Sequence, residues 1–168
     1  MKFKIDLNTI NENEFTAIFG SIFEKSEWIA TETFKQKPFK NSKDLINKMT
    51  KIFESCSIEQ IIVIFKLHPK LAIEKKLTSF STKEQSGAKL DRCSKEEIEE
   101  FNQLNFDYEK KFQFPFIIAV KGKSKNEILD NFRNRISNNY EKEFHEAKIQ
   151  VLKIALFRLN EVFEKINC

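Results

Sequence analysis

Residues 141–166, EKEFHEAKIQVLKIALFRLNEVFEKI, carry the longest run of helical apolar spacing in the chain. Apolar side chains recur there every three or four positions, which is the spacing that places them on one face of a helix. That face comprises Phe144, Ala147, Val151, Ile154, Ala155, Val162 and Ile166. We expect this segment to be the spine of a helical bundle.

Helix-start signals recur through the rest of the chain. Each is a small polar residue followed three positions later by Glu or Gln, a pair that satisfies backbone amides at the helix start. Five such pairs occur, Asn11–Glu14, Ser57–Gln60, Ser81–Glu84, Ser94–Glu97 and Ser124–Glu127, and Ser42 is a further single cap. Apolar residues follow at helical spacing, so the sequence predicts an all-α fold, a single compact bundle of seven or eight helices.

One segment interrupts this pattern. Between Phe112 and Gly122 the apolar residues have neither helical nor strand spacing, and Pro115 lies among them. Proline fixes its own φ and keeps the preceding residue out of the helical region. We therefore predict one extended, buried connection around Phe114–Val120. Its backbone amides would be free of helix hydrogen bonds and able to bind a polar ligand.

Composition limits the class of protein. The 168 residues, 40% of them hydrophobic, are enough for one core, so we predict a single domain over residues 1–168. The net charge of +4 comes from interspersed Lys and Glu without a basic block, which indicates a solvated surface and no nucleic-acid site. Cys56, Cys93 and Cys168 are widely spaced and form no C-x-x-C pattern, so neither a disulfide framework nor a metal site is indicated.

The two ends of the sequence carry no targeting signal. Residues 1–6 lack the apolar stretch of a signal peptide, and no run approaches the roughly 18 apolar residues that span a membrane. Residues 165–168 are not the Ser-Lys-Leu peroxisomal address. We expect a cytoplasmic protein that binds neither membrane nor nucleic acid.

His68 is the first candidate for chemistry. It follows a strongly apolar predicted helix, and Pro69 comes directly after it. An imidazole at a helix C-terminus feels the negative end of the helix dipole, which favours the protonated form and so a proton donor near neutral pH. The alternative is a C-cap, in which the ring binds the last carbonyls of its helix. His145, inside the last helix, is expected to be a surface or groove-lining histidine.

Polar side chains also concentrate in residues 81–88, STKEQSGA. A helix start offers backbone amides to an anion, while Glu84 and Gln85 offer an acceptor and a two-way amide to the edge of a heterocycle. The alternative is that Ser81 and Glu84 form only a capping box.

Arginine is a third signal, because this chain otherwise prefers lysine. Arg133, Arg135 and Arg158 each suggest a planar, bidentate contact. Arg158 is either a structural ion-pair partner or a further candidate for binding a substrate carboxylate.

Three blocks, in this order, resemble the family of decarboxylases of 2-oxo-4-hydroxy-4-carboxy-5-ureidoimidazoline (OHCU). They are residues 67–72 (LHPKLA), residues 81–88 (STKEQSGA), and residues 112–120 (FQFPFIIAV) with Gly122 close behind. The resemblance implies an all-helical, homodimeric lyase that needs no metal or cofactor. It also implies an activity, the decarboxylation of OHCU to (S)-allantoin in urate breakdown.

Carried over motif by motif, the resemblance assigns the site. His68 is the expected proton donor, and Glu84 is the second catalytic residue, holding either His68 or a ring N–H. Gln85 and Ser81 would read the ureido and ring edges, and amides near Ile118 and Ala119 would anchor ring carbonyls. The full set of expected substrate-binding residues is Pro69, Ser81, Thr82, Lys83, Glu84, Gln85, Phe116, Ile117, Ile118, Ala119 and Val120.

Two other functions stay open at the level of sequence. The first is a non-catalytic helical module that binds a purine-derived ligand. Binding of the ligand without release of CO₂ would favour this module. The second is a helical interaction protein associated with nucleic acid, suggested only by the net charge of +4. Salt-sensitive binding to DNA or RNA would be needed to support it.

Overall fold

The computed structural model describes residues 5–72 and 77–166. The other residues lie outside this description, among them Cys168 and parts of both termini from which the cytoplasmic location was predicted. Throughout the described ranges the regular structure is helical and contains no strand, which confirms the all-α prediction. These ranges contain eight α-helices: α1 Glu12–Phe19, α2 Trp28–Phe34, α3 Ser42–Glu54, α4 Ile58–Leu67, α5 Ser79–Gly87, α6 Lys95–Phe112, α7 Lys125–Arg135 and α8 Tyr140–Ile166.

A short 3₁₀ turn, Leu90–Arg92, follows α5. None of the helices in the described ranges combines the length and the apolar character of a membrane crossing.

By the proximity of their Cα atoms, the described residues divide into two compact units. The first unit contains residues 5–64 together with 152–166. Its core is aromatic: the ring of Phe15 lies 4.7 Å from that of Phe19 and 5.7 Å from that of Phe39. The rings of Phe23 and Phe53 are stacked at 5.1 Å. These contacts bury the apolar stripes of α1 and α3 and the turns beside them.

The second unit contains residues 65–151. Its centre is Tyr108 on α6, which is fully buried, with its ring 4.6 Å from that of Phe112 and 5.3 Å from that of Phe116. The ring of Phe116 is stacked at 3.9 Å on that of Phe132 on α7. Aromatic packing therefore joins α6, α7 and the segment between them, because large rings supply much of the energy of apolar burial.

Most of the predicted helix starts are confirmed. Complete capping boxes begin α1, α6 and α7, and Ser57 and Gln60 exchange the same two hydrogen bonds before α4. Two predictions were wrong by one to three residues. Asn41, not Ser42, caps α3, and Thr78, not Ser81, caps α5 by accepting a hydrogen bond from the Ser81 amide.

The long final helix and the extended connection are both confirmed. Helix α8 is 27 residues long, and the predicted apolar face is buried at Ala147, Val151, Ile154, Ala155 and Val162. Helix α6 ends at Phe112, and its C-cap residue Gln113 has the left-handed φ of 62°. The chain then runs through Phe114–Val120 without helix or strand, and each residue of that segment is buried.

Candidate active site

His68 is the first residue beyond α4. Its backbone amide donates to the Phe65 carbonyl at 3.1 Å, and 8% of its surface is exposed. It lines a cavity of about 370 Å³ whose other lining residues are Lys66, Lys70, Glu109, Gln113 and Pro115. Such a volume lies at the lower end of the range of small-molecule sites. His68 thus combines burial with access to a space that a small molecule can enter.

Helix α5 contains the second predicted block, and the residues of that block divide between a buried side and a more exposed side of the helix. Ser81 and Gln85, four residues apart and so on one face, are buried, whereas Thr82 and Lys83 are exposed and Glu84 is half-buried. Within the part of the chain that the structure describes, none of these five residues lines the cavity beside His68.

Gln85 connects this helix to the turn after His68. Its Oε1 accepts a hydrogen bond from the Ala72 amide at 3.0 Å, and its Nε2 donates to the Lys70 carbonyl at 3.5 Å. In this structure both the oxygen and the nitrogen of the Gln85 side-chain amide therefore bind backbone groups of the turn. The sequence suggested a different use for it, the reading of a ligand edge.

The expected substrate-binding part of the third block, Phe116–Val120, is attached to its surroundings by two polar side chains. Arg135 on α7 donates from Nη1 to the Ile117 carbonyl at 2.8 Å. Gln150 on α8 accepts a hydrogen bond from the Ala119 amide at 3.0 Å. The Ala119 amide, expected from the sequence to face a ligand, is thus engaged by Gln150 in this structure. No local pattern pointed to Gln150.

Arg135 belongs to a buried network of charge. Its Nε and Nη2 donate to Oε1 of Glu143 at 2.9 and 2.6 Å, and Asn138 donates to Oε2 at 2.8 Å. Tyr108 donates its hydroxyl hydrogen to the same Oε1 of Glu143. Burial, and then the adjacent Glu143 carboxylate, raise the pKa of Tyr108 far above its usual range. Tyr108 is therefore a neutral donor, and with Arg135 and Asn138 it supplies hydrogen bonds to both oxygens of the Glu143 side chain.

Helix α6 contacts two of the three predicted blocks. Asn105 donates from Nδ2 to the Leu71 carbonyl at 3.3 Å, in the turn after His68, and to the Phe101 carbonyl at 2.7 Å. Three residues further along the same face, Tyr108 packs against Phe116. Neither Asn105 nor Tyr108 was among the site residues predicted from the sequence.

Arg158 lies in the first unit, whereas the other candidate residues lie in the second. Its Nη2 is 3.0 Å from Oε2 of Glu24, and both side chains are buried. Its Nη1 also faces the Ser21 carbonyl at 3.3 Å and the Ile22 carbonyl at 3.4 Å. The structural ion pair, which the sequence left as one of two alternatives, is therefore present.

No group of three or more His, Cys, Asp or Glu side chains is arranged to hold a metal ion among residues 5–72 and 77–166. Likewise, neither Cys56 nor Cys93 is part of a disulfide within those ranges.

The chain is similar in sequence to known proteins. The sequence profile of the OHCU decarboxylase family matches residues 8–160, which is most of the chain. The chain belongs to the OHCU decarboxylase family. Its match runs through the residues of both compact units.

Two curated relatives of this chain and one solved structure show how similar it is to known proteins. A uric acid degradation bifunctional protein of Bacillus subtilis is 40% identical over 94% of this chain. An OHCU decarboxylase of Halalkalicoccus jeotgali is 34% identical over 94% of this chain and 89% of its own length. The chain spans about a third of the length of the Bacillus relatives that it matches.

The solved structure is a crystal structure of OHCU decarboxylase in the presence of (S)-allantoin. It superposes with a TM-score of 0.72 at 25% sequence identity, and the match covers 92% of this chain and 99% of that one.

Proposed function

We propose that this protein decarboxylates OHCU to (S)-allantoin in urate breakdown, without a metal or an organic cofactor. Membership of the OHCU decarboxylase family over residues 8–160 is the observation that carries the proposal. The solved structure that was determined in the presence of (S)-allantoin supports the identity of the product. The buried His68 beside a cavity supports the type of chemistry.

In this reaction the substrate itself can accept the electron pair that a cofactor would otherwise stabilise. When the bond between the ring carbon and the carboxylate breaks, CO₂ leaves and the electron pair delocalises into the adjacent unsaturated ring. A proton then adds to the neighbouring ring carbon, which carries the ureido group, and the ring hydroxyl gives up its own proton to become the carbonyl of allantoin. The protein must hold the ring, stabilise the developing anion with hydrogen bonds, and deliver the proton to one face.

In this proposal His68 donates the proton and recovers it from solvent, and Glu84 orients His68 or a ring N–H. Ser81, together with the backbone of Phe116–Val120, holds the ring, and Pro69, Thr82 and Lys83 complete the substrate surface. Gln85 binds the ureido or ring edge of the substrate, and its bonds to Ala72 and Lys70 also hold the turn after His68.

The test is to generate OHCU in situ from urate with the two preceding enzymes of the pathway, and to follow the circular dichroism of allantoin. Spontaneous decay of OHCU gives racemic allantoin and sets the baseline. The expected result is rapid formation of optically active (S)-allantoin. Racemic product at the uncatalysed rate would contradict the proposal.

The chain offers a matched control for the proton donor, since it contains two histidines. His68→Asn should abolish the optically active product, whereas His145→Asn, at an exposed position of α8, should leave the rate unchanged. If both variants keep the wild-type rate, His68 has no part in the mechanism. If the wild type binds (S)-allantoin but releases no CO₂, the protein is the non-catalytic module instead.

We also propose that residues 1–168 form a single domain, that the protein acts in the cytoplasm, and that it is a homodimer. The family match across residues 8–160 supports the first. Exposed apolar side chains on α4, Ile58 and Val63, support a protein partner. Sedimentation equilibrium would give the mass of the assembly, and a monomer at micromolar concentration would contradict the dimer.

A further inference from the structure

A buried ion pair lies outside the set of residues that the family resemblance assigns to the site. Arg135 and Glu143 have side-chain exposures of 8% and 0%. Taking two charges out of water is costly, and replacing such a pair by apolar residues is often neutral or stabilising. Stability alone therefore gives little reason for a charged pair at these two positions.

The pair contacts the predicted substrate segment through Arg135. Nε and Nη2 of Arg135 bind the Glu143 carboxylate, while Nη1 donates to the Ile117 carbonyl at 2.8 Å. The guanidinium carbon also lies 4.3 Å from the centre of the Phe116 ring. The planar guanidinium has a fixed fork of donors. A single rigid group thus ties Phe116 and Ile117 to a fixed carboxylate.

Holding the Ile117 carbonyl has a direct effect on the next residue. The Ile117 carbonyl and the Ile118 amide belong to one planar peptide unit, and in a trans peptide they point in opposite directions. Fixing the carbonyl therefore fixes the direction of the Ile118 N–H. The next amide along, that of Ala119, is held by Gln150, so the peptide units on both sides of Ile118 are restrained.

We propose that Arg135 is a positioning residue, which aims the Ile118 amide at a ring carbonyl of the substrate through its hydrogen bond to the Ile117 carbonyl. This inference rests on the proposed function. Negative charge builds on the ring carbonyl as CO₂ leaves, so an amide aimed there stabilises the transition state more than the bound substrate. Glu143 acts one step further away, by holding the guanidinium in place, and Tyr108 and Asn138 act through their hydrogen bonds to Glu143.

The experiment compares Arg135→Lys with Arg133→Lys in the full chain. A lysine at 135 can pair with Glu143, but its single ammonium cannot also keep the fork that reaches Ile117. Arg133 lies on the same helix, is exposed, and binds only Glu100 and Asp130 among the contacts that the structure describes. The readouts are kcat, KM and the optical purity of the allantoin formed.

For Arg135→Lys we expect kcat to fall roughly 100-fold, the size of effect that a misplacement of about 1 Å produces, with a smaller change in KM. Optical purity should fall as well, because a loosely held ring can take up the proton on either face. Arg133→Lys should match the wild type in all three. A role in folding alone would lower stability but leave kcat per folded molecule and optical purity intact, and that result would overturn the inference.

A second variant covers the case in which Arg135→Lys fails to fold. Arg135→Met combined with Glu143→Gln removes both charges at similar volume, which buried pairs often tolerate, and it deletes the donor to Ile117. It should reproduce the loss of kcat and of optical purity. Wild-type values in the folded double variant would overturn the inference. An inactive wild type would instead count against the proposed function itself.

Discussion

Replacing Tyr108 by Phe should destabilise the protein by a predictable amount. The hydroxyl is fully buried and donates to the Glu143 carboxylate, and a hydrogen bond to a charged group contributes about 1.5–3 kcal/mol net. The aromatic contacts survive, because Phe has the same ring. Glu143 also keeps its bonds from Arg135 and Asn138, so the loss should fall in the lower half of that range.

We therefore expect a decrease of about 2 kcal/mol in the free energy of unfolding for Tyr108→Phe. For a chain of this length that corresponds to a decrease in Tm of about 4–8 °C. The assay is equilibrium unfolding in urea, followed by circular dichroism of the helices, with the denaturant slope compared between variants to check that the same surface is exposed.

Tyr140→Phe is the matched control. Tyr140 is 46% exposed, and its hydroxyl makes no hydrogen bond among the residues that the structure describes, so its loss should change the free energy of unfolding by less than about 0.5 kcal/mol. If Tyr108→Phe also falls within that limit, the reasoning that the buried hydroxyl stabilises Glu143 is refuted.

Three further changes test other parts of the structure. Arg158→Met leaves the buried Glu24 carboxylate without this cation and should cost about 3–5 kcal/mol in urea unfolding; a cost below about 1 kcal/mol would show that the ion pair contributes little. Ser94→Ala removes the cap of α6 and should cost about 1 kcal/mol by the same assay, so an unchanged urea midpoint would count against the cap. Hydrogen bonds from Lys125 and then from the Ser94 amide lower the pKa of the Glu97 carboxyl. Its stabilising effect is complete above the ordinary pKa and is lost as the pH falls through the lowered value. Between about pH 6 and about pH 3, the free energy of unfolding should therefore fall less steeply with falling pH in Glu97→Gln than in the wild type. Equal slopes would contradict this.

The parts of the fold that the sequence predicted are those decided by residues close together in the chain. A capping box needs only two residues three positions apart, and the boxes at Ser94 and Ser124 formed where expected. The predictions failed where several cap-forming residues lie together. Thr78 is the N-cap of α5, and Ser81 lies inside the helix, on the buried face that it shares with Gln85.

The polar contacts that hold the candidate site could not be predicted in the same way. Tyr108 and Glu143 are 35 positions apart, and Ala119 and Gln150 are 31 positions apart. No local spacing relates such residues, and each partner alone has the composition of an ordinary helix. Arginine usage did single out Arg135, but the identity of its partners depends on how α7 and the start of α8 pack.

Helix α6 sets the separation between two attached segments, the turn after His68 and the connection at Phe116. Asn105 binds the first and Tyr108 packs against the second, from positions three residues apart on a helix that rises about 1.5 Å per residue. The helix therefore fixes both the distance and the angle between these two attachment points. One residue inserted between Asn105 and Tyr108 would rotate the two attachment points by about 100° relative to one another, so evolution can lengthen the loops of this unit but must keep the phase of α6.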